Sequence, residues 1–231
     1  MSLEDILYLF TLGLAAFSAT ILLYLFVRAN SKLPEGWRTS PSFQLFKRSI
    51  FLLMGYLFIE FLGEFISLHL ARNGIYNSYV MSINNTLSIP FLFGYFFINT
   101  PKLWKRSLYV VFYLIIVLYL ISGGYYHPNC ILPGIFAVIV YVSHFLAALI
   151  YLTDLLVDSR PDHFKFHIKI SFSILIYMIL ASVVGSFVWF TKEDPQFDYK
   201  LVFDIHFTFL ILFYLSMAIT IIIEIIKLRR K

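Results

Sequence analysis

Charged side chains are scarce in this sequence, which excludes an ordinary soluble domain. Only 13% of the residues are charged, whereas soluble domains carry about 25%. Hydrophobic residues make up 60% of the chain, and the mean hydropathy is +0.83. Aromatic residues, at 19%, suit the lipid-facing and tightly packed surfaces of membrane helices. The composition therefore predicts an all-α, polytopic membrane protein.

Cysteine and the common catalytic motifs are also missing. Cys130 is the single cysteine, which excludes an internal disulfide and a thiolate metal cluster. The sequence contains no GxSxG motif, and no serine–histidine pair is indicated by spacing. We therefore predict no catalytic residues, no resident metal and no cofactor. The net charge of +5 does not indicate nucleic acid, because the basic residues follow membrane topology.

Long apolar runs are what the sequence has instead. Seven runs are each close to the roughly 20 residues that a helix needs to span a bilayer. They cover Asp5–Val27, Ser49–Ala71, Tyr76–Ile98, Ser107–Gly124, Leu132–Val157, His167–Phe190 and Leu201–Ile226. Only the connection from Arg28 to Arg48 is long. The runs predict one seven-helix transmembrane domain over residues 1–231.

Lysine and arginine residues are distributed unevenly between the two sides of this predicted bundle. Fifteen of the 18 lie in or beside the first, third and fifth connections and the C-terminal tail. The opposite side carries only Arg72, Lys192 and Lys200. Because cytoplasmic segments are enriched in basic residues, we predict the N-terminus outside and the C-terminus in the cytoplasm.

Two glutamates interrupt the middle of the second apolar run. A carboxylate at the bilayer centre costs roughly 2.5–3.5 kcal/mol on insertion scales. Glu60 and Glu64 are one helical turn apart and share a face, with Gly63 beside them. Carboxyls so close together do not both ionise cheaply, so we expect at least one to be protonated or paired.

Polar residues of other runs fall at similar depths when each residue is counted as about 1.5 Å along a helix. Asn84 and Asn85 lie near the middle of the third run, and His144 lies near the middle of the fifth. Asp204 and His206 lie close to the outer end of the seventh run.

We hypothesise that the two glutamates face the asparagines and His144 in one internal ligand or ion cluster. The cluster would open outward, with Asp204 and His206 at its entrance. The alternative is that these groups only hydrogen-bond to one another and fix the packing of the helices.

Two groups of residues have the chemistry of metal ligands. His163 and His167 form an HxxxH pair, with Asp158 and Asp162 nearby as further ligands. They fall in a predicted connection, where polar residues are expected anyway. The glutamate pair with His144 is a second possible ligand set, but it lacks the Glu-x-x-His motifs of di-metal helix bundles.

Two classes of seven-helix protein fit the sequence poorly. A retinal protein needs a lysine in the middle of the last helix, and none occurs between Lys200 and Lys227. Small seven-helix carriers repeat helix-breaking prolines in their two halves. Here only Pro90 lies deep inside a predicted helix, and the halves show no convincing repeat.

The end of the second run and the start of the third read FIEFLGEFISLHLARNGIYNSY. This stretch resembles small bacterial seven-helix membrane proteins without an assigned activity, and it is similar to the membrane-sensor portions that precede signalling domains. The matching residues are Glu60, Gly63, Tyr76 and Asn77. The resemblance implies a seven-helix bundle and no particular chemistry. It also implies a signalling partner, because the sequence shows no cytoplasmic output domain.

These observations lead to an expected function. We expect a non-enzymatic protein of a bacterial inner membrane that contacts membrane lipids and acts as a sensory or accessory subunit beside another membrane protein. The second hypothesis is a small transporter or ion- or proton-conducting protein that uses Glu60 and Glu64. The third is an intramembrane metal-dependent enzyme.

Overall fold

A computed structural model describes residues 3–32, 41–73, 78–121, 132–157, 164–191 and 199–230 of the chain. These residues form seven helices. They are α1 (Leu3–Lys32), α2 (Pro41–Arg72), α3 (Ser78–Asn99), α4 (Leu103–Ile121), α5 (Leu132–Val157), α6 (Phe164–Thr191) and α7 (Tyr199–Arg230). The all-helical prediction is confirmed, and each helix matches one of the seven apolar runs.

Five of the helices are long and apolar enough to cross a membrane. Their apolar stretches are Ile6–Arg28 in α1, Phe43–Ile66 in α2, Ile139–Val157 in α5, Phe166–Val183 in α6 and Ile205–Lys227 in α7. In α3 the described apolar stretch is the shorter Thr86–Asn99. This helix continues through Pro90. The chain is therefore a multi-pass helical membrane protein.

Six of the helices form a closed ring, and α4 lies outside it. Around the ring, α1 packs on α2, α2 on α3, α3 on α5, α5 on α6, α6 on α7, and α7 returns to α1. Helix α4 packs against α3 and α5. The order of helices around the ring thus follows the chain except for this one displaced helix.

Polar side chains join neighbouring helices at several places. The Ser18 hydroxyl donates to the main-chain oxygen of Tyr214 at 3.2 Å, which links α1 to α7. The Asn99 amide donates to the Ser49 hydroxyl at 2.8 Å, which links α3 to α2. Ser173 of α6 shares a short hydrogen bond with Ser216 of α7. Such bonds fix the rotation of each helix, because apolar packing alone tolerates more than one angle.

An ion pair attaches α4 to the ring. Lys105 Nζ lies 2.5 Å from Asp154 Oδ1 of α5, and the two side chains are only 12% and 10% exposed. Thr100 and Tyr109 share a hydrogen bond of 3.1 Å nearby. The start of α4, the end of α3 and the end of α5 therefore lie at the same end of the bundle, which we call the basic end.

Breaking this pair tests how α4 is held. We expect Asp154→Ala to lower the free energy of unfolding by about 3 kcal/mol, because it leaves the Lys105 ammonium buried without its partner. Replacing both residues, as Lys105→Met with Asp154→Leu, should recover most of the loss. The measurement is a denaturant titration of the purified protein in detergent.

The Glu224–Lys227 pair provides the matched control. Glu224 is buried, but Lys227, which lies 3.2 Å from it, has a side chain that is 44% exposed. Glu224→Gln removes the carboxylate and leaves an ammonium that water can solvate, so it should cost about 1 kcal/mol or less. Equal losses in Asp154→Ala and Glu224→Gln would contradict the assignment of the Lys105–Asp154 pair as the attachment of α4.

Candidate functional site

The two glutamates of α2 lie on the face of the helix that points into the ring. Leu53 and Leu57, which share this face, have no exposed surface. Phe58, on the opposite face, is 53% exposed. Glu64 is only 8% exposed, and Glu60 is half-buried. Both carboxyl groups therefore point away from the surface of the bundle.

Glu64 is held by the first helix of the ring. The Tyr8 hydroxyl of α1 makes a short hydrogen bond to the main-chain oxygen of Glu64, and it lies 3.3 Å from Glu64 Oε2. The Tyr8 ring in turn packs edge-on against Phe207 of α7, with 5.2 Å between the ring centroids. Three helices thus meet at this carboxyl.

Glu60 is held by the third helix. The Asn84 amide nitrogen donates to Glu60 Oε2 at 3.1 Å, and the Ser88 hydroxyl, one turn further along α3, also bonds to this carboxyl. Asn84 is only 4% exposed. The structure therefore brings Glu60 and Asn84, two of the residues in the hypothesis, into direct contact.

Two glycines of α2 make this approach of α3 sterically feasible. A Cβ atom at Gly63 would overlap the side-chain amide of Asn84. At Gly55, eight residues earlier, a Cβ atom would overlap the ring of Phe91. The absence of a side chain at position 63 is what allows Asn84 to lie beside Glu60.

Four buried or half-buried tyrosines lie within electrostatic range of the same carboxyl. Tyr56 of α2, Tyr141 of α5, Tyr177 of α6 and Tyr214 of α7 each interact electrostatically with Glu60. Tyr141 and Tyr214 also interact with Glu64. With Tyr8 and Asn84, every helix of the ring places a polar side chain within electrostatic range of the glutamates. We call these residues, together with Ser88, the carboxyl–tyrosine cluster.

The sequence does not single out these tyrosines, because aromatic residues in apolar runs fit lipid-facing and packed surfaces equally well. One of them does have a recognisable pattern. Tyr56 precedes Glu60 by four residues and therefore shares its face of the helix. Tyr141, Tyr177 and Tyr214 lie in the middle parts of separate apolar runs. Apolar residues flank them on both sides, so the sequence does not tell whether each tyrosine faces lipid or the inside of the bundle.

His144 occupies a different place from the one hypothesised. Its Nδ1–H donates to the main-chain oxygen of Val140 at 2.7 Å, and its ring packs against Phe93 of α3 at 5.3 Å between centroids. In the part of the chain that the structure describes, no hydrogen bond joins His144 to either glutamate. It therefore serves the contact between α5 and α3.

Of the two residues predicted to form the outer entrance, Asp204 and His206, the structure describes the side chain of His206. This half-buried ring lies 6.5 Å from Tyr177 and 6.2 Å from Phe207, measured between centroids, so it borders the carboxyl–tyrosine cluster. The side chains of Asn85 and Asp204 lie outside the described part of the structure.

The conceivable metal sites gain no support from the described residues. No group of three or more His, Cys, Asp and Glu side chains in the described ranges could hold a metal ion. His167 is buried, and its Nδ1 shares a hydrogen bond of 2.7 Å with the Tyr95 hydroxyl. His163, Asp158 and Asp162 lie outside the described ranges.

The chemistry of the carboxyl–tyrosine cluster favours positive charge. Its members offer carboxyl, phenol, amide and hydroxyl oxygens, which are the ligands of hard cations. Among the described residues, no lysine or arginine forms an ion pair with Glu60 or Glu64. A proton or a small cation is thus the species that the cluster is best suited to hold.

The fold and this cluster define a class: a multi-pass helical membrane protein with paired carboxyls inside a ring of helices. Comparison with protein-family models, curated proteins and solved structures gives no match.

Gly63→Ala tests the geometry on which the cluster depends. The added methyl group must displace Asn84, so we expect a loss of about 2 kcal/mol in the free energy of unfolding. Adding Asn84→Ala to this variant should relieve the overlap and recover part of the loss. Denaturant titration in detergent measures both effects.

Gly13 of α1 is the matched control, because a Cβ atom there would meet no atom within 4 Å. Gly13→Ala should change the free energy of unfolding by about 1 kcal/mol at most, in the stabilising direction. A loss in Gly13→Ala as large as that in Gly63→Ala would show that the contact with Asn84 is not the cause.

Proposed function

We propose that this chain is a non-enzymatic, seven-span protein of a bacterial inner membrane, which acts as a sensory or accessory subunit beside another membrane protein. In this proposal a proton or small cation binds in the carboxyl–tyrosine cluster, and its binding changes how the ring helices pack. The observation that carries the proposal is that all six ring helices contribute to the environment of Glu60 and Glu64.

The coupling between ligand and packing follows from those contacts. Tyr8 connects Glu64 to α1, and Asn84 connects Glu60 to α3. A bound cation, or protonation of a carboxyl group, changes which hydrogen bonds each carboxyl oxygen can accept. The hydrogen bonds between helices must then rearrange. Binding inside the ring therefore changes the packing of the helices and, with it, the outer surface of the bundle.

The orientation in this proposal has the N-terminus outside and the C-terminus in the cytoplasm. It is supported by the 15 basic residues on one side and by the positive-inside rule. With this orientation the basic end of the bundle faces the cytoplasm.

A partner subunit is proposed because the outer surface offers apolar faces for another helix. Helix α4, which stands outside the ring, exposes Val111, Leu114 and Leu118 on its outward side. Such a face is suited equally to lipid and to a transmembrane helix.

The second candidate function is a small transporter or proton-conducting protein. The observation that favours it is the pair of carboxyls on the inward face of α2, hydrogen-bonded to Tyr8, Asn84 and Ser88, since intramembrane carboxyls recur in proton and ion pathways. A metal-dependent enzyme is the third candidate, and no observation on the described residues favours it.

An experiment in native membranes separates the first two candidates. The tagged chain is cross-linked in the membrane and purified, and its partners are quantified for the wild type and for Glu60→Gln with Glu64→Gln. A sensory or accessory subunit predicts a stoichiometric partner whose recovery changes about fivefold or more in the double variant. Glu224→Gln, which removes a buried carboxyl of α7 outside the cluster, should leave recovery unchanged.

The purified protein is also tested for cation and proton flux in liposomes. Our proposal predicts no flux above that of empty vesicles. A flux that Glu60→Gln abolishes and Glu224→Gln preserves would favour the transporter instead. Partner recovery that is insensitive to both glutamates would contradict the sensory role of the cluster.

A further inference from the structure

A surface groove lies at the basic end of the bundle, between α1, α2 and α3. Its volume is about 350 Å³. Its apolar lining consists of Phe26 from α1, Phe51 and Leu52 from α2, and Ile98 from α3. The groove is therefore built by three neighbouring helices of the ring.

The position of the groove along the helices is set by two observations. The hydrogen bond between Asn99 and Ser49 places the end of α3 level with the start of α2. Helix α1 ends at Lys32, and only eight residues separate it from the start of α2 at Pro41. All three helix ends thus meet at the basic end, where the bundle passes from apolar to polar surroundings.

The rim of the groove is polar and positively charged. Gln44, Lys47 and Arg48 line it, and all three belong to the first two turns of α2. They lie at the start of the apolar stretch Phe43–Ile66, which is the level of lipid headgroups for a spanning helix. In the part of the chain that the structure describes, no carboxylate pairs with Lys47 or Arg48.

We propose that this groove binds one anionic phospholipid. The headgroup phosphate lies on Lys47 and Arg48. One acyl chain follows Phe26, Phe51, Leu52 and Ile98. The site is separate from the carboxyl–tyrosine cluster and does not depend on the function proposed for that cluster.

Charge and size together select this occupant. Lys47 and Arg48, which have no carboxylate partner among the described residues, complement the net negative charge of an anionic headgroup. The apolar lining below them would make no favourable contact with a free inorganic anion. The volume is near the lower end of the roughly 300–1,000 Å³ of small-molecule sites. It suits one chain better than an α-helix, whose diameter with side chains is about 10–12 Å.

Lipid binding to the full chain is measured by native mass spectrometry and by titration in nanodiscs of defined composition. Phosphatidylglycerol should bind the wild type with a stoichiometry of one at this site, and about tenfold more tightly than phosphatidylcholine. Lys47→Glu with Arg48→Glu should weaken phosphatidylglycerol binding about tenfold or more and remove the preference. Inorganic phosphate at millimolar concentration should not compete.

The matched control is Lys102→Glu with Lys169→Glu, which makes the same change in net charge at exposed positions outside the groove. It should retain the preference for phosphatidylglycerol. The milder Lys47→Gln with Arg48→Gln replaces the charge reversal if that variant does not fold, with the same expected loss of preference.

Three results would overturn the proposal. Equal loss in the control would indicate a diffuse surface charge rather than a site. Equal binding of phosphatidylcholine to the wild type would show that the groove does not select a headgroup with net negative charge. Full competition by inorganic phosphate would indicate an anion site without a role for the acyl chain.

Discussion

The enclosure of two carboxyl groups within a ring of apolar helices is the constraint on which the rest of the structure depends. An isolated carboxylate at the centre of a bilayer costs roughly 2.5–3.5 kcal/mol on insertion scales. Here Glu64 meets the Tyr8 hydroxyl and Glu60 meets the Asn84 amide. These partners come from helices on either side of α2 in the ring, so the carboxyls stay inside only if α1, α2 and α3 keep their rotation.

Other features of the packing follow from that constraint. Gly63 leaves the space that Asn84 fills, so α3 approaches α2 closely where a polar contact is required. Tyrosines from α5, α6 and α7 interact electrostatically with Glu60, and each combines an apolar ring suited to packing with a polar hydroxyl. The basic end carries both the ion pair that attaches α4 and the groove lined by Lys47 and Arg48.

The sequence predicts the number of helices and the pairing of Glu60 with Asn84, because the length of an apolar run and the depth of a residue in the membrane can both be counted along the chain. The rotation of a helix about its axis cannot be counted in this way, and this is why His144 does not face the glutamates as hypothesised. It lies at the expected position on α5, yet it bonds to Val140 and packs on Phe93. The displacement of α4 from the ring could not be predicted either, since short connections are compatible with several neighbours in the bundle.

The inward orientation of the two carboxyls is tested most directly by a nitroxide scan of α2 in bilayers. Single cysteines are introduced at each position from 57 to 65 except Gly63 in a Cys130→Ser background, and the collision rate of each spin label with dissolved oxygen is measured. We predict minima at Leu57, Glu60 and Glu64 and maxima at Phe58, Leu62 and Phe65, which are exposed. A scan of opposite phase, with the highest oxygen collision rates at positions 60 and 64, would place the glutamates in lipid and contradict the account.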